Sequence, residues 1–335
     1  MVIFGAGASY DSLARGPPGE FGSQWRPPLA NELFDLRWGP YITLFPQAAS
    51  LITDLEKPGV NIEGELEKFQ NEAEQYPRLR IPLTAIRYYL QSMLSSCQGW
   101  WEGETRHVTN YNPLLLQIDR WVKGEKVLVN FNYDTLLEGA LDSTLGIRFD
   151  SMDNYVTGNY KVIKPHGSIN WWHRVDSPQF PSPTSIPDHR IPMVIERAQE
   201  LRISPMFELS TPTRAIPSGI PTIPALALPV ATKSEYECPD DHQKILAKSY
   251  QNVTKVMVIG WRATENRFLK SFAQGIGRNR PRFFVVSRNE ESAVQVEQTI
   301  KDQLGESGAS AEYSHLPYGF SAAIKNHDFD SFLKS

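Results

Sequence analysis

Short apolar segments recur along the chain, and helical patterns separate them. Such runs are MVIF (1–4), KVLVN (126–130), KVMVIG (255–260) and PRFFVVSRN (281–289). Amphipathic segments lie beside them, such as NPLLLQIDRWV at 112–122 and EESAVQVEQTIKDQL at 290–304. Strands that alternate with helices predict an α/β fold, built as a doubly wound, mainly parallel Rossmann-like sheet.

Two long segments interrupt this alternation. Residues from about 30 to 110 are predicted to be a helical insertion, with helical patterns in PLANELFDL (28–36), EGELEKFQNEAEQ (63–75) and PLTAIRYYLQSMLSSC (82–97). From about 175 to 240, Pro and Ser recur, and IPMVIE (191–196) is a short run that predicts a strand. A long irregular segment inside a compact domain is more often an active-site lid or an insertion than a core element. We therefore predict a Pro-rich, lid-like insertion at about 175–240.

Composition and charge exclude several classes of protein. Lys and Arg number 34 against 38 Asp and Glu, a net charge of −4 without a dense basic run, so direct binding of nucleic acid is not expected. Cys97 and Cys238 stand far apart, which excludes a disulfide framework and a four-cysteine zinc site and suits a reducing cytoplasm. No apolar run approaches the roughly 20 residues of a membrane-spanning helix, and MVIFGAGAS does not resemble a signal peptide. We expect a cytoplasmic protein without a membrane segment.

Small or polar residues stand where the predicted strands end. These segments are GAGAS (5–9), NFNYD (130–134), HGSIN (166–170), GWR (260–262) and SRN (287–289). In an open parallel sheet the carboxyl ends of all strands meet at one edge, so these segments can converge on one crevice. Ligands of doubly wound sheets bind in that crevice, and the sequence therefore predicts a binding site there.

GAGAS is a partial dinucleotide-binding fingerprint. Gly5 and Gly7 allow a tight turn and a close approach of the backbone to a pyrophosphate, with the following amides as donors. Tyr10 stands where the full fingerprint has its third glycine. A tight strand-to-helix turn without a ligand also accounts for these residues.

NFNYD places Asn130, Asn132 and Asp134 on alternate positions after an apolar strand. A helix follows, and Thr135 with Glu138 matches the T-x-x-E capping box, so helix capping is one explanation. Capping accounts for one or two of these polar side chains but not for three, which favours a ligand site.

His166 stands between Pro165 and Gly167 at the end of another predicted strand. Imidazole titrates near neutral pH and can take a proton from a hydroxyl group, although an isolated histidine is more often structural. His173 and His189 have poor ligand spacing and no carboxylate pair nearby, so we predict no metal site.

Together these segments resemble the sirtuin-like family. Sirtuins carry a GAG turn after the first strand, a Q-N-x-D strand end, a His-Gly strand end, and late G-x-S and V-N segments. The similar residues here are Gly5-Ala6-Gly7-Ala8-Ser9, Asn130-Phe131-Asn132-Tyr133-Asp134, His166-Gly167, Gly260-Trp261-Arg262 and Ser287-Arg288-Asn289. The N-Y-D and K-P-H-G-S-I-N forms look closer to bacterial sirtuin-like domains of antiviral defence systems than to protein deacylases. Order and spacing agree across nearly the whole chain, so we expect a single domain over 1–335.

The resemblance implies catalytic and cofactor-binding roles. Asn132 would hold the nicotinamide ribose of NAD⁺ and order the attacking water, and His166 would take a proton from the ribose or from water. Asp134 would face the carboxamide, and Asn130 stands where sirtuins have glutamine. The other implied NAD⁺-binding residues are Gly5, Ala6, Gly7, Ala8, Ser9, Gly260, Trp261, Ser287 and Asn289.

The reaction implied is that of an NAD⁺ glycohydrolase, which cleaves NAD⁺, its substrate, to nicotinamide and ADP-ribose and needs no metal. Sirtuin deacylases carry a zinc ribbon with four cysteines, whereas this chain has two cysteines in total, which favours hydrolysis by water. An NAD-dependent protein deacylase is one alternative. A sensor that binds NAD⁺ or ADP-ribose without turnover is another.

The resemblance further implies an NAD-depleting effector of a bacterial anti-phage, abortive-infection system. Because unregulated hydrolysis would drain a cofactor that every cell needs, we expect control by assembly. The expected form is a homo-oligomer with a separate regulatory partner, such as a translocase-type ATPase or a phage-sensing protein.

Overall fold

The computed structural model describes residues 1–12, 25–57, 59–176, 190–211, 221–230, 236–277, 279–305, 308 and 310–335. Of the predicted lid-like insertion, 177–189, 212–220 and 231–235 lie outside the described residues. The described strands are β1 (Val2–Phe4), β2 (Lys126–Asn130), β3 (Tyr160–Ile163), β4 (Gly167–Asp176), β5 (Arg202–Leu209), β6 (Thr222–Leu226), β7 (Lys255–Ile259), β8 (Arg282–Val286) and β9 (Tyr313–Leu316).

Helices of very different lengths connect these strands. The described α-helices are α1 (Ala6–Tyr10), α2 (Gly39–Ile42), α3 (Ala49–Leu55), α4 (Ile62–Gln75), α5 (Arg80–Thr105), α6 (Tyr111–Trp121), α7 (Leu136–Leu145), α8 (Arg190–Glu196), α9 (Asp240–Ser249), α10 (Asn266–Ile276), α11 (Glu290–Leu304), α12 (Phe320–Lys325) and α13 (Phe329–Lys334). Short 3₁₀ turns lie at Ala30–Glu32, Leu36–Trp38, Pro46–Ala48, Pro77–Leu79, Met152–Tyr155 and Tyr250–Asn252. None of the described helices combines the length and apolar character that crossing a membrane requires.

Within the described residues, six strands form one parallel sheet in the order β3-β2-β1-β7-β8-β9. β1 lies in the middle, with Val2 beside Leu128 of β2 and beside Met257 of β7. The chain moves outward from β1 to β3 and later returns to the other side of β1 with β7, so its direction changes between β1 and β7. Doubly wound sheets bind ligands at such a topological switch point. The predicted fold class is confirmed.

Alternate residues of these strands enter two separate hydrophobic cores, one on each face of the sheet. Phe4 and Leu128 belong to the core that includes α6, α7, α12 and α13. Ile3 and Val129 belong to the core that includes α9, α10 and α11. Because helices cover both faces, the strands are continuous apolar runs, and each fully buried large side chain contributes about 1.5–3 kcal/mol to stability.

A second sheet, antiparallel and in the order β5-β4-β6, begins directly after His166. Gly167 is the first residue of β4 and has a φ of +79°. A Cβ there would lie 1.9 Å from the Ala225 carbonyl oxygen, so only glycine lets β4 start beside β6. β5 and β6 come from the predicted lid-like insertion, whose described part is therefore partly a small sheet.

The helices predicted at 63–75 and 82–97 are confirmed as α4 and α5. The helix predicted at 28–36 is wrong, because this segment forms two 3₁₀ turns that Trp38 ties together through its Nε1 bond to the Glu32 carbonyl (3.0 Å). The strand predicted for IPMVIE is also wrong, since this segment belongs to α8. Pro192 stands in the first turn of α8, where a proline is tolerated.

Candidate functional site

The turns that follow β1 and β7 are packed against each other at the switch point. Gly5 N–H donates to the last carbonyl of β7 (3.1 Å), and Gly7 N–H donates to the Gly260 carbonyl (2.9 Å). A Cβ on Gly7 would lie 2.8 Å from Gly260 Cα, and a Cβ on Gly5 would lie 2.6 Å from Trp261 Cα. Gly260 has a φ of +60°, and its Cβ would lie 2.2 Å from the Ala8 nitrogen. Backbone packing alone therefore requires glycine at all three positions.

Ser9, in the short helix α1, connects Asn132 with Tyr111. Asn132 Nδ2 donates to Ser9 Oγ (2.9 Å), and Ser9 Oγ lies 3.0 Å from the Tyr111 hydroxyl. Burial raises the pKa of Tyr111 well above its usual range, and the Asp134 charge raises it further, so the phenol stays protonated. These contacts hold the Asn132 amide between the β1–α1 turn and α6. Tyr111 was not among the predicted site residues, because it stands at the start of a helix rather than at a strand end.

Asn130 is the last residue of β2 and is fully buried. Its Oδ1 accepts the backbone N–H of Asn132 (3.1 Å), a local turn that shapes the segment after the strand. Its Nδ2 is buried and has no hydrogen-bond partner among the described residues. Asn130 thus fixes the backbone that presents Asn132.

The start of α7 is capped differently from the T-x-x-E pattern. Asp134 Oδ1 accepts the N–H of Leu136 (3.2 Å). Gln98 of α5 accepts the N–H of Thr135 and donates to its hydroxyl, both at 2.7 Å. Glu138 does not reach back to the cap, so the capping box is wrong, although Asp134 does cap the helix.

Asp134 is buried, and its carboxyl group has an altered proton affinity. Burial raises the pKa of Asp134 above its usual range, because an ionised carboxylate loses its hydration. The positive charge of Lys164 and hydrogen bonds from Ser9 and the Leu136 N–H oppose this rise without cancelling it. Asn132 thus bonds to Ser9 of the GAGAS turn, and the same Ser9 lowers the pKa of Asp134 against the effect of burial.

A buried ion pair lies below this loop. Lys164 is completely buried, and its Nζ donates to Glu138 Oε1 (2.9 Å) and to the backbone carbonyl of Asp134. Tyr155 donates its hydroxyl hydrogen to the same Glu138 oxygen (3.3 Å). A fully buried lysine normally requires such a partner. The sequence analysis missed Lys164, although a charged residue directly after the apolar run YKVI was a usable signal.

His166 lies between β3 and β4 and is 3% exposed. Its Nδ1 is 3.1 Å from the Phe131 carbonyl, which can only accept a hydrogen bond, so Nδ1 carries the proton of the neutral ring. Nε2 is then the basic nitrogen, and it lies 3.9 Å from Glu265 Oε1. The ring packs beside the rings of Phe131 and Tyr133, with centroid distances of 4.9 and 6.2 Å.

The remaining predicted residues fall into two groups. Trp261 stacks on Phe131 with a centroid distance of 5.3 Å, which places it beside the His166 ring. Ser287 donates its N–H to the Leu316 carbonyl (3.1 Å), and Asn289 caps α11 by accepting the Ser292 N–H (2.9 Å). These bonds explain Ser287 and Asn289 through strand pairing and capping.

The three side chains predicted to act at the strand ends are all buried. Asn132, Asp134 and His166 are only 6%, 8% and 3% exposed. His173 is bonded to Glu237 Oε1 (2.7 Å) and to the Met206 carbonyl. Across the part of the chain that is described, no cluster of three or more His, Cys, Asp or Glu residues is arranged to hold a metal ion.

No protein-family model matches this sequence, and no curated protein matches it either. Among solved structures, the chain is similar to a crystal structure of Sir2 in complex with the inhibitor EX-527, 2′-O-acetyl-ADP-ribose and a deacetylated p53 peptide. The two chains share 11% sequence identity with a TM-score of 0.36. The likeness covers 73% of this chain and 84% of that chain.

Proposed function

We propose that this protein is an NAD⁺ glycohydrolase, which converts NAD⁺ and water to nicotinamide, ADP-ribose and a proton. The observation that carries the proposal is the enclosed cluster at the carboxyl edge of the parallel sheet. Asn132 bonds to Ser9 of the GAGAS turn, and Asp134, two residues later, accepts the Leu136 N–H. His166 bonds to the carbonyl of Phe131, the residue between Asn130 and Asn132.

These groups match the demands of the reaction. The bond between C1′ and the nicotinamide nitrogen breaks, its electron pair neutralises the pyridinium ring, and a water oxygen bonds to C1′. His166 Nε2 takes the proton that the water loses, while the amide of Asn132 orients the water or a ribose hydroxyl. Positive charge develops at C1′, and fixed polar groups in an enclosed site stabilise such charge better than bulk water does.

The test is a measurement of free nicotinamide after incubation of the full-length chain with NAD⁺. Asn132→Ala and His166→Ala should each lower the rate by at least about 100-fold, as expected for the loss of a general base or a positioning amide. Exposed residues of the same types serve as matched controls, and Asn252→Ala and His327→Ala should keep the wild-type rate. Thermal melting of each variant verifies that it is folded.

The outcomes separate the candidate functions. Nicotinamide release that survives in both site variants would contradict the assignment. Saturable NAD⁺ or ADP-ribose binding without any turnover would favour the sensor alternative. Turnover that appears only with an acyl-lysine peptide would favour the deacylase.

We further propose that the enzyme acts as a homo-oligomeric, NAD-depleting anti-phage effector in the cytoplasm, under control of a separate partner protein. The enclosure of Asn132, Asp134 and His166 supports control of access, because a dinucleotide cannot reach side chains that are less than 10% exposed without local movement. Apolar side chains exposed on the helical insertion, such as Leu44 and Trp100, support a protein contact there.

Co-expression with the candidate partner tests this second proposal. The partner is of the translocase-type ATPase or phage-sensing class. Cells that carry both proteins should lose NAD⁺ upon phage infection, whereas cells with Asn132→Ala should keep it. A monomer that turns over NAD⁺ fully on its own, without toxicity, would contradict regulated assembly.

A further inference from the structure

Glu265 faces the basic nitrogen of His166 from the turn that joins β7 to α10. Its Oε1 lies 3.9 Å from His166 Nε2, and the side chain is 11% exposed. Trp261 Nε1 and Thr264 Oγ1 both donate to Oε2, which leaves Oε1 as the oxygen nearest to the imidazole. The carboxylate is therefore held in place by its own turn and is directed at the histidine.

The position of Glu265 at the start of α10 is a second unusual feature of this residue. It occupies the N-cap position of α10, yet its side chain makes no capping hydrogen bond there. Glutamate is not a preferred N-cap residue, whereas Ser, Thr, Asp and Asn are. The Glu265 carboxylate thus stands at a cap position but contacts the side chains of Trp261 and Thr264.

The tautomer of the ring decides whether the two groups can form a hydrogen bond. With the proton on Nδ1, the His166 ring presents a lone pair at Nε2, and a carboxylate also offers only lone pairs. No hydrogen bond can form between them until Nε2 gains a proton. Once that proton arrives, the N–H faces a carboxylate in a partly desolvated site, where attraction between opposite charges is strong.

We propose that Glu265 is a positioning residue for His166. Glu265 holds the imidazole in place through the aromatic rings packed beside it, and it stabilises the imidazolium that forms when Nε2 accepts a proton. This inference rests on the proposed hydrolysis of NAD⁺, in which that proton comes from the attacking water. A continuous set of contacts between His166 and Glu265 supports this inference. Phe131 bonds to Nδ1 and stacks on Trp261, which donates to Glu265.

Three further ionisable groups near His166, within the part of the chain that the structure describes, are paired with other residues or uncharged. Lys164, two residues earlier, pairs with Glu138. Glu237, whose N–H bonds to the Pro165 carbonyl, pairs with His173 and Arg87. Tyr133 is half-buried beside the ring, and the loss of solvent together with nearby acidic groups raises its pKa, so it remains neutral. Among the described residues, Glu265 is the carboxylate that lies within ion-pair distance of Nε2.

The experiment is a pH titration of the full-length chain labelled with ¹³C in its histidine rings. The seven histidines give separate Cε1–H signals, and the one that disappears in His166→Gln is assigned to His166. In Glu265→Gln this signal should titrate with a midpoint about one pH unit lower than in the wild type, a tenfold loss of proton affinity. Glu265→Asp should give an intermediate midpoint, and the exposed control Glu312→Gln should give the wild-type one.

Kinetics provide the second readout. The acidic limb of the pH profile of kcat/KM for nicotinamide release should shift in the same direction in Glu265→Gln, an effect that a purely structural residue would not produce. An unchanged His166 midpoint in Glu265→Gln overturns the inference. If that variant does not fold, an unchanged midpoint in Glu265→Asp overturns it instead. The titration needs no turnover, so a shifted midpoint in a protein that never cleaves NAD⁺ would refute the hydrolase proposal and leave the pairing intact.

Discussion

Asp134 is a carboxyl group that the fold removes from water. Burial raises its pKa above that of the unfolded chain, so the folded state binds more protons between the two values, and stability falls as the pH rises through that window. Asp134→Asn keeps the oxygen that accepts the Leu136 N–H and removes the charge. We predict a higher melting temperature for this variant at neutral pH, with a gap that narrows as the pH falls towards about 4, the ordinary aspartate range.

A matched control for this prediction is Asp150→Asn, at an exposed position. It should show no such pH-dependent gain. A lower melting temperature of Asp134→Asn at neutral pH would show that the carboxylate stabilises the fold. The same variant should release less nicotinamide, because an amide NH₂ group replaces one of the carboxylate oxygens that are proposed to face the carboxamide.

Lys164 and Glu138 form an ion pair with almost no solvent contact. Glu138→Ala would leave a buried ammonium group without its carboxylate, and we predict a loss of about 3–5 kcal/mol in the free energy of unfolding. Replacement of both residues by methionine removes both charges and should cost much less. Urea denaturation at neutral pH measures both values, and a double variant as unstable as Glu138→Ala would contradict the assignment.

Residue types at the candidate site were predictable from the sequence, but their partners were not. Asn130, Asn132 and Asp134 could be identified because they alternate after an apolar strand. His166 could be identified because it stands in a Pro-His-Gly turn. Tyr111 precedes β2 by a whole helix, and no local pattern indicates that its hydroxyl meets Asn132. Such contacts depend on how helices pack on the sheet, which periodicity alone does not determine.

The strands of the large sheet were predictable because burial on both faces makes each of them a continuous apolar run. The small sheet was not, since exposed and buried positions mix along β5 and no run marks it. The prediction for IPMVIE was wrong because an apolar run of five residues fits a strand and a short buried helix equally well. Neither length nor composition distinguishes the two in such a case.

The small sheet is attached to the loop before α9 by a cluster of charged side chains. His173 of β4 lies 2.7 Å from Glu237 Oε1, and Arg87 of α5 donates to the other oxygen (3.3 Å). Burial alone would raise the pKa of Glu237, but the bond from His173 and the Arg87 charge outweigh it, and the pKa is lowered. The carboxylate therefore stabilises the fold above the ordinary glutamate range, and this contribution is lost as the pH falls through the lowered value.

We predict that Glu237→Gln lowers the free energy of unfolding by about 1.5–3 kcal/mol at neutral pH, the usual worth of hydrogen bonds to charged groups. The difference from the wild type should shrink as the pH falls below the ordinary glutamate range and through the lowered pKa of Glu237, below which the carboxyl is protonated in both folded and unfolded chains. Urea denaturation at several pH values measures this dependence. If the free energies of unfolding of the two proteins differ by the same amount at every pH, the substitution acts through packing and not through the charge of the carboxylate.

The two cysteines of the chain are poorly suited to bind a metal ion. Cys97 and Cys238 are both buried as free thiols, and burial raises the pKa of each thiol to about 12, which disfavours the thiolate that zinc requires. We predict less than stoichiometric zinc in the purified protein and an unchanged melting temperature in the presence of a chelator. Elemental analysis that finds about one zinc per chain would reopen the deacylase alternative.

The interlocked turns at Gly5, Gly7 and Gly260 have a consequence for how variants of this protein are selected. A library randomised at these three positions and screened only for stable expression should return glycine at each of them, because any side chain collides with the backbone of the opposite turn. Descendants that had lost all affinity for dinucleotides would keep the same three glycines. Selection for the proposed catalysis would instead be visible at Asn132 and His166.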